Sequence, residues 1–412
     1  MGYVPLVQGD LYVRVLLLTH SYSPEHSPPQ RRWTQITRVF RERGWEVDVV
    51  APVAHAPHGR RVLPRSVAGR PFLRDTGAYG ERIRRVPYLR HRTTRLGRLG
   101  NHLFSAACSI PASLLGPRPD VVVVTVPSLP ILGAGYAVAR LLRVPLTVDM
   151  RDAWPDIARD ARLIQDSAKG IAERIIVAIQ DRADLVVTVT YGFAQTLRDR
   201  GLGNVATVSN GVDVSIRELL PPPPADREFL EVLYLGNHGE SQRLDVVIRA
   251  AALAKDYVRL TLVGHGVQRR RLMALAEEIG APVRFHGPAV GAEVMEHYRH
   301  ADTCVVSLRD DWKSFETTIP SKTYEVLAIG RHVTGIVLGE AQKIIEESGA
   351  GDVVSAHPEK IAELWRGLAS DRRRLLTGTS GRDWVHDNAN VEALASSYAE
   401  YLTTLLNGVS TK

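Results

Sequence analysis

The residues best suited to chemistry in this 412-residue chain form one stretch, Thr317-Thr318-Ile319-Pro320-Ser321-Lys322-Thr323-Tyr324-Glu325. Pro320 and Ser321 stand where a helix should begin, with Ser321 as its cap, so free backbone N–H groups and the positive end of the helix dipole would point outward. Lys322 adds a mobile cation beside them. This set suits a diphosphate, and Glu325, one turn further on, is placed to accept hydrogen bonds from ribose hydroxyls. The plain reading of Pro-Ser-Lys taken alone is a solvated helix end.

Other loops supply partners for such a site. Gly264-His265-Gly266 ends an apolar run and precedes Arg269, Arg270 and Arg271. Glycine lets backbone approach a ligand where a Cβ would collide. The pair lacks the third glycine of the dinucleotide fingerprint, which argues against a hydride-transfer enzyme. Gly236-Asn237-His238-Gly239-Glu240-Ser241-Gln242-Arg243 follows another apolar run, and its amides with Arg243 are expected to face the same cleft as Lys322. Asp149-Met150-Arg151-Asp152-Ala153-Trp154-Pro155-Asp156 packs three carboxylates, an arginine and an aromatic together. Carboxylates and Trp154 could position a sugar; equally, the stretch reads as an Asp-capped helix start with Trp154 in the core. The loop 19–32, with His20, His26, Pro28 and Arg31, has the length of a functional loop. His20 and His26 lack a third ligand at metal spacing, so no metal site is expected. No nucleophile elbow, His-Glu-x-x-His or P-loop is present, and no Asp-x-Asp to clamp a divalent cation.

These loops need a scaffold that presents strand ends. Apolar runs at 13–18, 46–51, 121–126, 146–149, 185–190 and 205–209 alternate with helix-period segments such as 32–43 and 168–182. That alternation predicts a parallel doubly wound α/β sheet, whose ligands collect at the carboxyl ends of the strands. The tetraproline 221–224 reads as a stiff spacer. Beyond it the pattern restarts, with strands at 231–235, 259–263, 283–286, 303–308 and 332–336 and helices at 243–254, 267–279, 292–299 and 321–329. The expected organisation is a domain at 1–213, a linker at 214–228, a domain at 229–390 and a terminal helix at 391–412 that packs back on the first domain.

Hydrophobic residues at 44% and charged residues at 24% describe a folded globular chain. Cys108 and Cys304 are too far apart in sequence for a disulfide framework or a cysteine zinc site, which suits a reducing compartment. The net charge of +7 is uneven: segment 60–98, from Arg60 to Arg98, carries twelve arginines against Asp75 and Glu81. Interleaved with Ile83, Val86, Leu89, Leu96 and Leu99, they suit an anionic membrane surface or a polyprenyl-phosphate carrier, or else a solvated basic face. No recognition motif supports nucleic acid. No signal peptide is visible at 1–10, and the uncharged run 121–139 is divided by Pro127 and Pro130, so a membrane span is not expected.

Together the motifs resemble those of the family 4 glycosyltransferases. The match includes Thr207-Val208-Ser209-Asn210-Gly211-Val212-Asp213, Gly236-Asn237-x-Gly239, Gly264-x-Gly266, Ala301-Asp302 and Ile319-Pro320-Ser321-Lys322-x-x-Glu325. With Arg151-Asp152-Ala153-Trp154-Pro155, it is most similar to the branch of bacterial fucosamine-type transferases of surface-polysaccharide assembly. The resemblance implies a GT-B fold of two facing Rossmann-like domains with a central cleft. It implies transfer, with retention, from a nucleoside-diphosphate sugar, UDP-linked by expectation, in the cytoplasm or peripherally on the inner face of the membrane, with no metal or other cofactor. Donor binding would fall to Gly236, Asn237, Gln242, Arg243, Gly264, Gly266, Pro320, Ser321, Lys322 and Glu325. Catalysis would fall to Arg151, Asp152, Lys322 and Glu316, the last being displaced by one from the family's first glutamate, where Thr317 stands. A small-molecule, glycan or polyprenyl-linked acceptor would meet His20, Pro28, Arg31 and Trp154. Two other readings share the fold, a non-hydrolysing nucleotide-sugar 2-epimerase and a silent nucleotide-sugar-binding module.

Overall fold

The structure, a computed structural model, describes residues 12–25, 27–55, 59–61, 63–92, 94–126, 128–151 and 166–410. The chain divides into two compact units, one made of 1–210 with 391–412 and the other of 211–390.

In the first unit the strands are β1 (Arg14–Leu18), β2 (Glu46–Pro52), β3 (Arg74–Thr76), β4 (Arg82–Val86), β5 (Val121–Val126), β6 (Leu146–Met150), β7 (Leu185–Thr188) and β8 (Val205–Thr207). They form one eight-stranded sheet in the order β3-β4-β2-β1-β5-β6-β7-β8. All neighbours are parallel except β3, which runs against β4. The central strand β5, Val-Val-Val-Val-Thr-Val, is buried along its whole length, as a parallel strand covered on both faces requires. On one face Ile131, Val138, Ile176 and Phe193 pack against Val122 and Val124; on the other Trp33, Phe40, Tyr398 and Leu402 cover Val121 and Val123. Tyr398 and Leu402 come from the last helix, Val391–Ser410, which closes this core.

The arginine-rich segment contributes β3, β4 and the start of the helix Arg95–Leu114, elements its composition concealed. The arginines of β4 are drawn into the fold and are not available to a membrane. Arg82 pairs with Glu46 and with Asp48 at 2.8 Å, Arg84 donates to Ala112 O, and Arg85 is buried against Ser23 O and Pro52 O. The run 205–209 stops being strand at Thr207 because the carbonyls of Val208 and Ser209 turn to accept from Arg32, each at 2.8 Å.

In the second unit β9 (Leu230–Leu235), β10 (Val258–Val263), β11 (Val283–His286), β12 (Thr303–Ser307), β13 (His332–Ile336) and β14 (Gly351–Val353) form a fully parallel sheet in the order β11-β10-β9-β12-β13-β14. The stretch 214–228, expected as a Pro-rich linker between the domains, lies against this unit. Leu220 N donates to Ile329 O at 3.0 Å, Arg331 to Pro221 O at 2.7 Å, and Arg227 to the buried Asp302 at 2.7 Å. Among the described residues no helix is long and apolar enough to cross a membrane, and the run 121–139 is β5 followed by the helix Leu129–Leu142.

Candidate active site

In the second sheet β9 and β12 are neighbours, yet the chain leaves β9 toward β10 on one side and β12 toward β13 on the other. Such a switch point opens a crevice at the carboxyl ends of the two strands. The loops expected to carry chemistry meet there. Arg309 N donates to Ser241 O at 2.9 Å and Ser307 Oγ to Gln242 O at 2.7 Å, which ties the loop after β12 to the loop after β9. Gln242 Oε1 accepts from Gly239 N at 3.2 Å. Arg243, in the left-handed conformation with φ 45°, pairs with Asp310 of the loop after β12. Arg309 pairs with Asp311 at 2.7 Å, and this guanidinium holds the Asp311 carboxyl below its ordinary pKa.

Gly264 and Gly266 make close backbone contacts with the loop after β9. Gly264 has φ 138°, and a Cβ there would stand 1.9 Å from Gly236 O; a Cβ on Gly266 would stand 2.3 Å from His238 O. The two glycines let one loop lie on the backbone of the other, with His238 N donating to His265 O at 2.8 Å. His238 is fully buried near Tyr234 and Phe285, and burial, with Arg269 nearby, pushes its pKa down to about 4.

The helix Ser321–Ala328 follows the β12 loop. Its cap position is Pro320, whose side chain accepts nothing; Ser321 is the first helical residue and exposed, so it does not cap the helix as expected. Lys322 is not a mobile cation. Its Nζ donates to Glu325 Oε2 at 2.7 Å and to Tyr298 Oη at 3.4 Å, and Glu325 is nearly buried. An ammonium has three donors, and two of those on Lys322 are occupied. Glu316 is exposed in the 3-10 turn Lys313–Thr317, and Asn237 is exposed at the tip of its loop.

In the first unit Asp149 is not available to a sugar. It is completely buried, its carboxylate accepting from Arg32 at 3.1 Å, Trp33 Nε1 at 3.0 Å and Thr125 Oγ1 at 3.1 Å. Arg151, half-buried, follows β6 directly, and Arg31 is exposed at the start of the helix Pro28–Glu42. Asp152, Trp154 and His26 lie outside the described residues, as does the side chain of Pro28. His20 follows β1 and contacts the rings of His55 and His102. Sequence reasoning passed over His55, His102 and Arg32; they are far from their partners along the chain, and no local signal marks them. Among the described residues no group of three or more His, Cys, Asp or Glu is placed to hold a metal ion.

Residues 29–211 match the family described as glycosyl transferase 4-like domain, and residues 216–377 match glycosyl transferases group 1. The chain is 23% identical over 381 residues to the putative colanic acid biosynthesis glycosyl transferase WcaI of Escherichia coli (strain K12), covering 86% of this chain and 91% of that protein. Its fold is similar to sucrose-phosphate synthase from Thermosynechococcus elongatus, with TM-score 0.75 at 18% identity, over 96% of this chain and 100% of that one. It is also similar to Anabaena HepE in complex with UDP-glucose, with TM-score 0.70 at 15% identity, over 95% of this chain and 100% of that one.

Proposed function

We propose, from the premise that this chain belongs to the family 4 glycosyltransferases of GT-B fold, that it moves a sugar from a UDP-linked donor to a lipid-linked or glycan acceptor in surface-polysaccharide assembly. The observation that carries this reading is the convergence at the β9/β12 edge of the Gly236 loop, Arg243, Arg309 and the Lys322 helix. A departing diphosphate gains negative charge in the transition state, and preorganised donors aimed at that charge lower the barrier. Lys322 would turn its remaining donor, and the first amides of its helix, to the phosphates. Glu325 steadies the Lys322 ammonium and would stand beside the ribose hydroxyls. With fixed cations in this position, we assign no divalent ion to the reaction. Arg151 and Asp152 would hold donor hydroxyls or the acceptor, and Glu316 would stand by the transferred sugar.

Two features support a peripheral position on the inner face of the membrane. Leu96, Leu99 and Leu103 on the helix Arg95–Leu114 are 82%, 50% and 55% exposed. Arg60, Arg61, Arg90, Arg92 and Arg98 are exposed in the same segment. Apolar side chains flanked by arginines suit an anionic lipid surface.

Thermal unfolding with a panel of nucleoside diphosphates tests the donor, because a ligand that binds only the folded protein raises its apparent stability. UDP is expected to give the largest shift, and transfer or hydrolysis of a UDP-sugar should persist in EDTA. No shift with any nucleotide would overturn the reading. Salt-sensitive sedimentation with anionic but not neutral vesicles is the expected membrane result.

A further inference from the structure

Histidines distant in sequence meet at the carboxyl edge of the first sheet. His20 follows β1, His55 follows β2, His91 precedes the helix Arg95–Leu114, and His102 lies on that helix. β1 and β5 are neighbours whose connections leave in opposite directions, so this edge is the switch point of the first unit. The ring centroids of His20 and His102 are 3.8 Å apart, and His20 meets His55 edge-on at 5.6 Å.

Hydrogen bonds separate these rings into two kinds. Asn101 Oδ1 accepts from Leu89 N at 2.9 Å, so its Nδ2 is the atom that donates to His55 Nε2 at 2.8 Å. His55 must then carry its proton on Nδ1, from which it donates to Val53 O at 2.8 Å. Both nitrogens of His55 are spent, and Tyr88 stacks on its face at 4.5 Å. His91 Nδ1 is engaged with Arg92 O at 2.7 Å. The tilted pair of His20 and His102, 49° between ring planes, keeps more of its nitrogens unengaged. Among the described residues neither nitrogen of His20 is hydrogen-bonded, and His102 uses only Nδ1, toward Ser128 Oγ at 3.2 Å. Three imidazole nitrogens of the pair are left for a ligand.

The surroundings favour an anion. Ser128 precedes the helix Leu129–Leu142 without capping it, its hydroxyl being turned to His102, so the first amides of that helix lack a side-chain acceptor. Glu25, the carboxylate that faces His55, is nearly buried and accepts from His55 N at 2.5 Å and Ser21 Oγ at 2.7 Å. Arg98, exposed, lies one helical turn before His102, and the buried Arg85 stands behind Glu25 from β4. Burial, with repulsion from His102 and His55, holds His20 well below the ordinary histidine pKa, and burial with His55, His91 and Arg98 nearby holds His102 at about 4. The empty pair is therefore neutral near pH 7.

We propose that the tilted His20–His102 pair receives a phosphoryl group of the acceptor and takes up a proton as that anion enters. The assignment rests on the transferase reading above, in which the acceptor belongs to the first unit. An oxyanion beside the pair opposes the burial penalty and raises the imidazole pKa, so one proton comes from solvent and no covalent bond changes. The first amides of the helix Leu129–Leu142 and Arg98 supply further donors. The phosphoryl group is either the head of a polyprenyl carrier or part of a soluble phosphosugar.

Calorimetric titration of the full chain tests this with sulfate, an oxyanion that has no proton to exchange near neutral pH, after the nucleotide site is filled with UDP. Heats compared across buffers of different ionisation enthalpy should show close to one proton taken up per sulfate. His20→Gln and His102→Gln should each weaken sulfate about tenfold and abolish the uptake, with UDP affinity and the melting curve reporting that both units remain folded. On the wild-type protein alone, the imidazole Cε1–H resonances of His20 and His102 should move with sulfate while that of His55 stays. Absence of proton uptake, or stationary His20 and His102 resonances, overturns the proposal. Displacement of sulfate by a detergent-solubilised prenyl phosphate identifies a lipid headgroup, displacement by glucose 1-phosphate identifies a soluble phosphosugar, and failure of both overturns the proposal. Proton uptake without any use of a nucleotide sugar would overturn the transferase reading and leave this site standing; the reverse pattern would do the opposite.

Discussion

At the β9/β12 edge the cations are permanent and each is held by a carboxylate: Lys322 by Glu325, Arg243 by Asp310, Arg309 by Asp311. At the β1/β5 edge the polar groups are imidazoles that burial keeps neutral, and the charge pair Arg32 with Asp149 is sunk in the fold. The same topological device thus offers a prepaid positive charge in one unit and an inducible one in the other. A diphosphate leaving group gains charge at every turnover, so fixed donors suit it. A group that must arrive and depart is better served by charge that forms only when it is present.

Four changes would break or sharpen this contrast. Asp149→Ala strands the Arg32 guanidinium in the first unit, and breaking a buried pair in this way costs about 3–5 kcal/mol. In urea the first unit should unfold at lower denaturant while UDP binding to the remaining folded unit persists. Lys322→Ala removes one charge-stabilising donor and should lower kcat/KM about 100-fold or more, roughly 2.7 kcal/mol. Its melting curve should stay near that of the parent, and unchanged UDP affinity would sink the diphosphate assignment. Gly264→Ala forces a Cβ against Gly236 O at a positive φ, with a cost of about 1–3 kcal/mol in the second unit. Acid provides the last and mildest probe. His20, His55 and His102 in the first unit and His238 in the second have folded pKa values below their unfolded value near 6.5. The unfolded chain binds their protons first, so the stability these histidines contribute is fully present above pH 6.5 and is lost as pH falls through their folded pKa values, about 4 for His102 and His238. Melting scans should show the first unit losing more than the second, and His102→Gln should flatten its slope.

Much of the second site could be read from the chain because its parts are local. Pro320, Ser321, Lys322 and Glu325 occupy one helical turn and a half, and Gly236, Asn237, Gln242 and Arg243 one loop, so spacing alone places them. Their pairing could not be read, since Asp310, which engages Arg243, sits on another strand's loop. The close approach at Gly264 was hidden for a similar reason: the backbone it meets belongs to the loop after β9. The first site was nearly silent. His20, His55 and His102 are joined only by the strand order β2-β1-β5, and a single sequence does not show which strands will be neighbours. Within 60–98 the high charge hid a strand, because the partners that neutralise Arg82, Glu46 and Asp48, lie on β2.

The last helix has a consequence for how the protein is made. Tyr398 and Leu402 complete the core that begins at Val13 and Trp33, whereas the second unit uses one continuous stretch of chain. During synthesis the second unit therefore has all its strands outside the ribosome before the first unit can seal. The half whose residues emerge first is closed last, because Tyr398 and Leu402, which share a core with Trp33 and Phe40, follow the whole second unit in the chain.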